Sequence, residues 1–160
     1  MQGFKQQGND FILKELSIVS LRDHSEPLVL LFKEPFTWRR LTDKYKRENT
    51  WLEHHHHGIP WSSGDIEYTE IGKILREALH DSTVALVMGS LKKKWLERFK
   101  FNVLDIAEMG FPPLDKIKLV TVCPHHNGAY RACCALHNVR LMKMYMQERC
   151  TPLEKGMEWE

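Results

Sequence analysis

The apolar positions fall into short blocks that switch between the two-residue period of strands and the spacing of helices. Residues 11–21 are rich in β-branched and apolar side chains, interrupted by Lys14, Glu15 and Ser17, and read as a strand. Residues 22–27 read as a turn and 28–33 as a second strand, so the pair predicts a hairpin ended by Pro35. Trp38, Leu41, Tyr45 and Leu52 give helical spacing across 37–52, and 58–64 read as loop. Ile66, Ile71, Ile74, Leu75, Ala78 and Leu79 share one face of a helix over 65–79. The run 83–88, ending at Gly89, predicts a buried strand. A short basic helix follows over 92–99, another strand over 103–106, and a turn of helix over 114–117 beyond Pro112-Pro113. Residues 132–146 predict a closing helix, with Ala135, Leu136, Val139, Met142 and Tyr145 on one side.

A hairpin followed by alternating helices and strands predicts an α/β domain, a mixed sheet flanked by helices. Residues 1–9 are Gln- and Gly-rich and are expected to be a flexible start. Residues 10–150 are expected to form the domain, and 151–160 an acidic tail. At 160 residues, the chain is long enough to bury roughly two-thirds of its unfolded surface without disulfides.

Composition narrows the classes. Apolar residues make up 42% and charged residues 28%, which excludes global disorder. The longest apolar run, 28–32, is far short of a membrane span, so no membrane partner is expected. No basic–apolar–small leader opens the chain. That predicts an intracellular protein, cytoplasmic or nuclear, with its thiols reduced.

The net charge of +2 does not by itself imply a polyanion partner, but the positive charges are clustered. Arg39, Arg40, Lys44, Lys46 and Arg47 form one group. Lys92, Lys93, Lys94, Arg98 and Lys100 form another, with Trp38, Trp51, Trp61 and Trp95 nearby. Basic side chains interleaved with aromatics suit single-stranded nucleic acid, through phosphate contacts and base stacking. The plainer alternative is a solvated helix face with the tryptophans in the core. Lys92, Lys93 and Lys94 are the first candidates for contact with RNA, and Arg39, Arg40 and Arg47 the second.

Four cysteines and nine histidines carry more chemistry. Cys123, Cys133 and Cys134 lie within twelve residues, with His125, His126 and His137 among them. Clustered thiols and imidazoles in a reducing compartment suggest zinc. Cys123-x-x-His126 supplies two ligands from one turn, and a Cys pair follows seven and eight residues later. The run His54–His57 is a weaker candidate. Four consecutive imidazoles on a helix point in several directions, and only His54 and His57 share a face. His57, beside Gly58-Ile59, is expected to be structural. Asp65, Glu67 and Glu70 read as acids placed favourably at a helix start.

Four local patterns over about residues 10–147 resemble the ribonuclease H-like fold of proofreading-type 3′–5′ exonucleases. Leu13-Lys14-Glu15 resembles the family's first-strand Asp-x-Glu, with Glu kept and Asp absent. His57-Gly58-Ile59 resembles the segment before its first helix. Residues 85–89 followed by Leu96 resemble the step that supplies its second Asp, where this chain has Lys92, Lys93 and Lys94. In the last helix, Cys133 and Asn138 hold the family's His and Asp places. Two-metal hydrolysis needs several carboxylates around paired Mg²⁺ ions, and one Glu among Lys, Cys and Asn cannot supply them. No two-metal exonuclease activity is expected, and no catalytic residue is assigned.

The set Glu15, Cys123, His126 and Cys134 resembles the Glu-Cys-His-Cys signature of the Maelstrom domain. In that family the acidic site is lost from the same fold and zinc takes its place. The resemblance implies a structural Zn²⁺ with all four positions filled, Cys133 and His125 remaining as alternatives to Cys134 and His126. It also implies single-stranded RNA as partner, with weak or unusual RNA cleavage attributed to the family, in RNA silencing and transposon control. The alternative is a degenerate nuclease fold serving protein–protein interaction.

Overall fold

The computed structural model describes residues 1–116 and 134–150. Five strands and four α-helices lie among them, in mixed α/β order. β1 (Gln2–Gln6), β2 (Asp10–Ile18) and β3 (Leu28–Leu31) form an antiparallel sheet with β2 in the centre. α1 (Asp43–Leu52) runs on into a π-helical turn, Glu53–His57, and α2 spans Ile71–Leu79. β4 (Ala85–Val87), α3 (Ser90–Glu97) and β5 (Val103–Asp105) follow, and β5 pairs parallel with β4. α4 (Ala135–Cys150) packs against β2. No described helix is long and apolar enough to cross a membrane.

The hairpin expected over 11–33 is present as β2 and β3, in register Glu15↔Leu31 to Ile18↔Leu28. The start of the chain differs from expectation. Instead of a loose segment, residues 2–6 are an edge strand, so the ordered unit begins there and not at residue 10. Its sequence, QGFKQ, has too few apolar residues to announce a strand, and its stability comes from partners distant in sequence. Phe4 is fully buried against Trp61. Gly3 lies so close to β2 that a Cβ would sit 1.9 Å from the Ile12 carbonyl oxygen.

The outer edge of β1 is closed by side chains. Asn49 Oδ1 accepts from the Lys5 N–H (2.9 Å), and Asn49 Nδ2 donates to the Lys5 carbonyl (2.8 Å). His57 bonds the Gly3 carbonyl through Nε2 (3.1 Å) and accepts the Ile59 N–H at Nδ1 (3.1 Å), so Nε2 carries the proton. An exposed row of strand donors and acceptors, which invites pairing with other chains, is thereby satisfied internally. Gly58, at φ +67°, ends the helix behind His57, a conformation glycine adopts without Cβ strain.

The sheet shows a second difference. A single mixed sheet was expected, whereas the described residues form two sheets. β1 pairs with residues 10–15 of β2 on one side and β3 pairs with 15–18 on the other. Among the described residues, β4 pairs with β5. Between residues 16–21 and 84–88 lies a cavity of about 520 Å³. α2 starts later than expected because Ile66 bridges to Phe32 in parallel and holds residues 65–66 extended. Likewise α1 starts at Asp43, since Trp38–Arg40 make a separate 3₁₀ turn.

Both faces of β2 are buried. Phe11 and Leu13 join Phe32, Leu75, Val87, Trp95 and Leu96 in the larger core. Ile12 joins Phe4, Leu41, Tyr45 and Trp61 in a smaller one under α1. Full burial of each such side chain is worth about 1.5–3 kcal/mol, which makes β2 the strand on which both cores depend.

Candidate functional site

β2 carries two adjacent charged residues, and both are completely buried. Because strand side chains alternate, Lys14 points toward the loop after α1 and Glu15 toward α4. Glu15 Oε2 accepts the Ala135 N–H at 2.8 Å, a contact between residues 120 apart in sequence. Ala135 opens α4, so this carboxylate satisfies one of the helix's orphan first-turn donors and lies at the positive end of its dipole. Cys134, immediately before the helix, is likewise fully buried. Two of the four residues of the expected Glu-Cys-His-Cys set, Glu15 and Cys134, thus both lie at the start of α4.

Cys123 and His126, with their alternatives Cys133 and His125, lie outside the described residues. Among the described residues no group of three His, Cys, Asp or Glu side chains is gathered in a way that could hold a metal. A buried carboxylate beside a buried thiol is nevertheless a donor pair that zinc accepts. The Met1 amino group sits against this cluster. Burial pushes its pKa down to about 5, Lys92 adds to the fall, and Glu15 and Cys134 oppose it.

The three lysines of the run do not share one face. Three consecutive residues on α3 diverge around the helix. Lys92 is half-buried and lines the cavity with Ala135 and Asn138. Lys93 pairs with Glu108 at 3.4 Å. Lys94 is exposed. The start of α3 is braced by the buried Asp105, whose Oδ1 accepts the Gly89 and Ala107 N–H groups (2.9 and 3.0 Å). Arg39, Arg40 and Arg47 are exposed, Arg40 lying over the Phe36 ring at 5.4 Å. Among the described residues, Arg39, Arg47 and Lys94 have no carboxylate within ion-pair distance.

The tryptophans sort sharply. Trp61 and Trp95 are buried, and Trp38 packs edge-on against Trp61 at 5.2 Å. Trp51 is 56% exposed. Leu13, expected from the resemblance to hold the exonucleases' Asp place, is a fully buried member of the larger core.

Other polar residues of β2 and α4 escape a reading by motif. Lys14 Nζ donates to the Trp61 and Ser63 carbonyls at 2.7 and 2.6 Å. Burial pushes its pKa down to about 8, with Glu34 and Glu53 acting the other way. A lone lysine inside an apolar strand was the available signal. Ser17 and Asn138 both line the cavity, and Ser17 Oγ and Asn138 Oδ1 have no hydrogen-bond partner among the described residues. The sequence marks Ser17 only as a break in an apolar strand and Asn138 only through the exonuclease resemblance.

No protein-family model matches the chain, and no curated protein or solved structure does so either.

Proposed function

We propose that this chain is a zinc-stabilised, exonuclease-derived module of ribonuclease H-like, Maelstrom-type ancestry that binds single-stranded RNA without two-metal cleavage. The observation that carries this reading is the meeting of Glu15 with the Cys134–Ala135 helix start. The first strand and the last helix are the elements that the Glu-Cys-His-Cys signature would staple. Cys123 and His126 would complete the donor set, and the ion would supply folding energy rather than an activated water. The exposed Arg39, Arg47 and Lys94, unopposed by described carboxylates, suit phosphate. Small-RNA or transposon-related work inside the cell, in cytoplasm or nucleus, is the setting this ancestry implies. A second reading, a protein-interaction domain, draws on Leu104 and Met109, apolar side chains 42% and 62% exposed around β5.

Elemental analysis of the purified chain tests the first reading. One Zn²⁺ per molecule is expected, with Cys134→Ser or His126→Ala losing the metal and lowering the melting temperature. A metal-free, fully folded preparation whose melting is unchanged by chelator overturns the zinc assignment. On labelled single-stranded RNA, added Mg²⁺ or Mn²⁺ should leave the 3′ end intact. A ladder of shortened products abolished by Glu15→Gln, with the fold intact, would overturn the inactive-site assignment.

A further inference from the structure

An indole left in water forgoes burial worth several tenths to a few kcal/mol, so an exposed tryptophan beside a basic surface calls for a partner. Trp51 lies near the end of α1 with Arg47 one turn before it and His55 one turn after. Lys44 falls on the same side, so Lys44, Arg47, Trp51 and His55 follow one row at spacings of three, four and four residues. All four are exposed. Lys44 lies 3.9 Å from Glu48, while Arg47 has no such described neighbour.

The row continues toward α3. The His55 ring lies 5.9 Å from Trp51, and the His56 ring is nearly parallel to the indole, 17° between planes at 6.4 Å. His56 is in turn within electrostatic range of Lys92; burial first, and Lys92 second, hold its pKa below the usual imidazole value.

We propose that Trp51 is a stacking platform for an unpaired base of single-stranded RNA, with Lys44 and Arg47 holding the flanking phosphates. The proposal rests on the RNA-binding reading and says where on the chain the strand lies. A base in a duplex has both faces covered by its neighbours, so the platform selects single strands. Every base has a π-face, so it is tolerant of sequence.

The test measures fluorescence anisotropy of labelled oligo-U and oligo-A, each at two salt concentrations. Trp51→Ala should weaken both by about ten-fold, given the usual worth of one base–aromatic stack. The salt slope should stay unchanged, because no phosphate contact is lost. Trp51→Tyr should recover most of the affinity. Arg47→Ala should instead flatten the log–log slope by about 0.7. Excess double-stranded RNA should compete poorly. If the parent binds but Trp51→Ala binds equally well, or duplex competes as strongly as single strand, the platform is refuted while RNA binding stands. If the parent binds no RNA at low salt, the RNA reading itself falls, and the platform with it.

Discussion

The two faces of β2 treat buried polarity differently. On the face toward α1, Lys14 is enclosed, and its ammonium meets two loop carbonyls at 2.6 and 2.7 Å. The neighbouring strand edge is closed by Asn49 and His57. On the face toward α4, Glu15 caps a helix, but two residues further on the Ser17 hydroxyl has no described partner and stands at a cavity of about 520 Å³. The first face uses polar groups as struts. The second ends in a hydroxyl without a described partner, although on the first face the buried Trp61 Nε1 also lacks one among the described residues. Buried groups without partners cost stability, and both faces carry one, so what sets the second apart is the cavity beside Ser17.

The largest test of this contrast removes the strut. Lys14→Ala loses a buried aliphatic stem and leaves the Trp61 and Ser63 carbonyls without their donor, and should cost about 4 kcal/mol. Lys14→Met restores volume without the donor and should recover about half. Urea unfolding followed by circular dichroism measures both. A loss below about 1 kcal/mol for Lys14→Ala would show that the ammonium is a tolerated guest, not a strut.

The same residue sets a pH signature of intermediate size. Burial holds the Lys14 pKa at about 8 in the folded chain, against 10.5 when exposed. Below pH 8 both states are protonated, and the folded state bears the full cost of the buried charge. Between pH 8 and 10.5 the unfolded chain binds more protons, so stability rises with pH. Tyr68 acts in the opposite sense. Burial raises its pKa from 10.0 to about 12, so above pH 10 the unfolded chain loses its proton first and stability falls. Stability should therefore climb by about 1–2 kcal/mol from pH 8 to pH 10 and then decline. Urea midpoints across pH 7–11 should show the maximum. Lys14→Met should flatten the rise, and Tyr68→Phe the fall. A profile level from pH 8 to 10 in the parent would refute the first limb.

How much of this was legible depends on where the determinants sit. β2, β3, β4, β5 and the amphipathic α2 announce themselves because their patterns are local. β1 does not: in QGFKQ only Phe4 is apolar, and the strand exists because Gly3 permits close approach to Ile12 while Asn49 and His57 complete its edge. The anticipated single sheet is two sheets among the described residues, with β1 on the edge of β2 over residues 10–15. At the candidate site, Glu15 and Cys134 could be named from motif type, and the fold brings their neighbourhoods together across 120 residues. The lysine run does not form one surface. Consecutive residues on a helix share no face, so Lys92, Lys93 and Lys94 face the cavity, Glu108 and solvent respectively. The four described tryptophans are equal as letters, and only burial separates Trp51 from the three that pack.

The smallest expected effect has the most diagnostic sign. Ser17 is 7% exposed, and its Oγ has no described hydrogen-bond partner. A buried hydroxyl in that state bears a desolvation penalty of about 1–3 kcal/mol with no bond to offset it. Ser17→Ala removes the penalty and little volume, so it should be neutral or stabilising by up to about 1 kcal/mol, whereas substitutions of buried, bonded polar groups destabilise. Asn49→Ala is the natural control, because its amide makes two bonds to the edge of β1, and it should cost about 2 kcal/mol. Parallel urea unfolding of the two variants decides the comparison. If Ser17→Ala proves as costly as Asn49→Ala, the hydroxyl has a partner in solution, and the face toward α4 is as tightly braced as the face toward α1. If it stabilises, the serine is kept for a reason other than folding, and the cavity wall between β2 and α4 becomes the place to look for it.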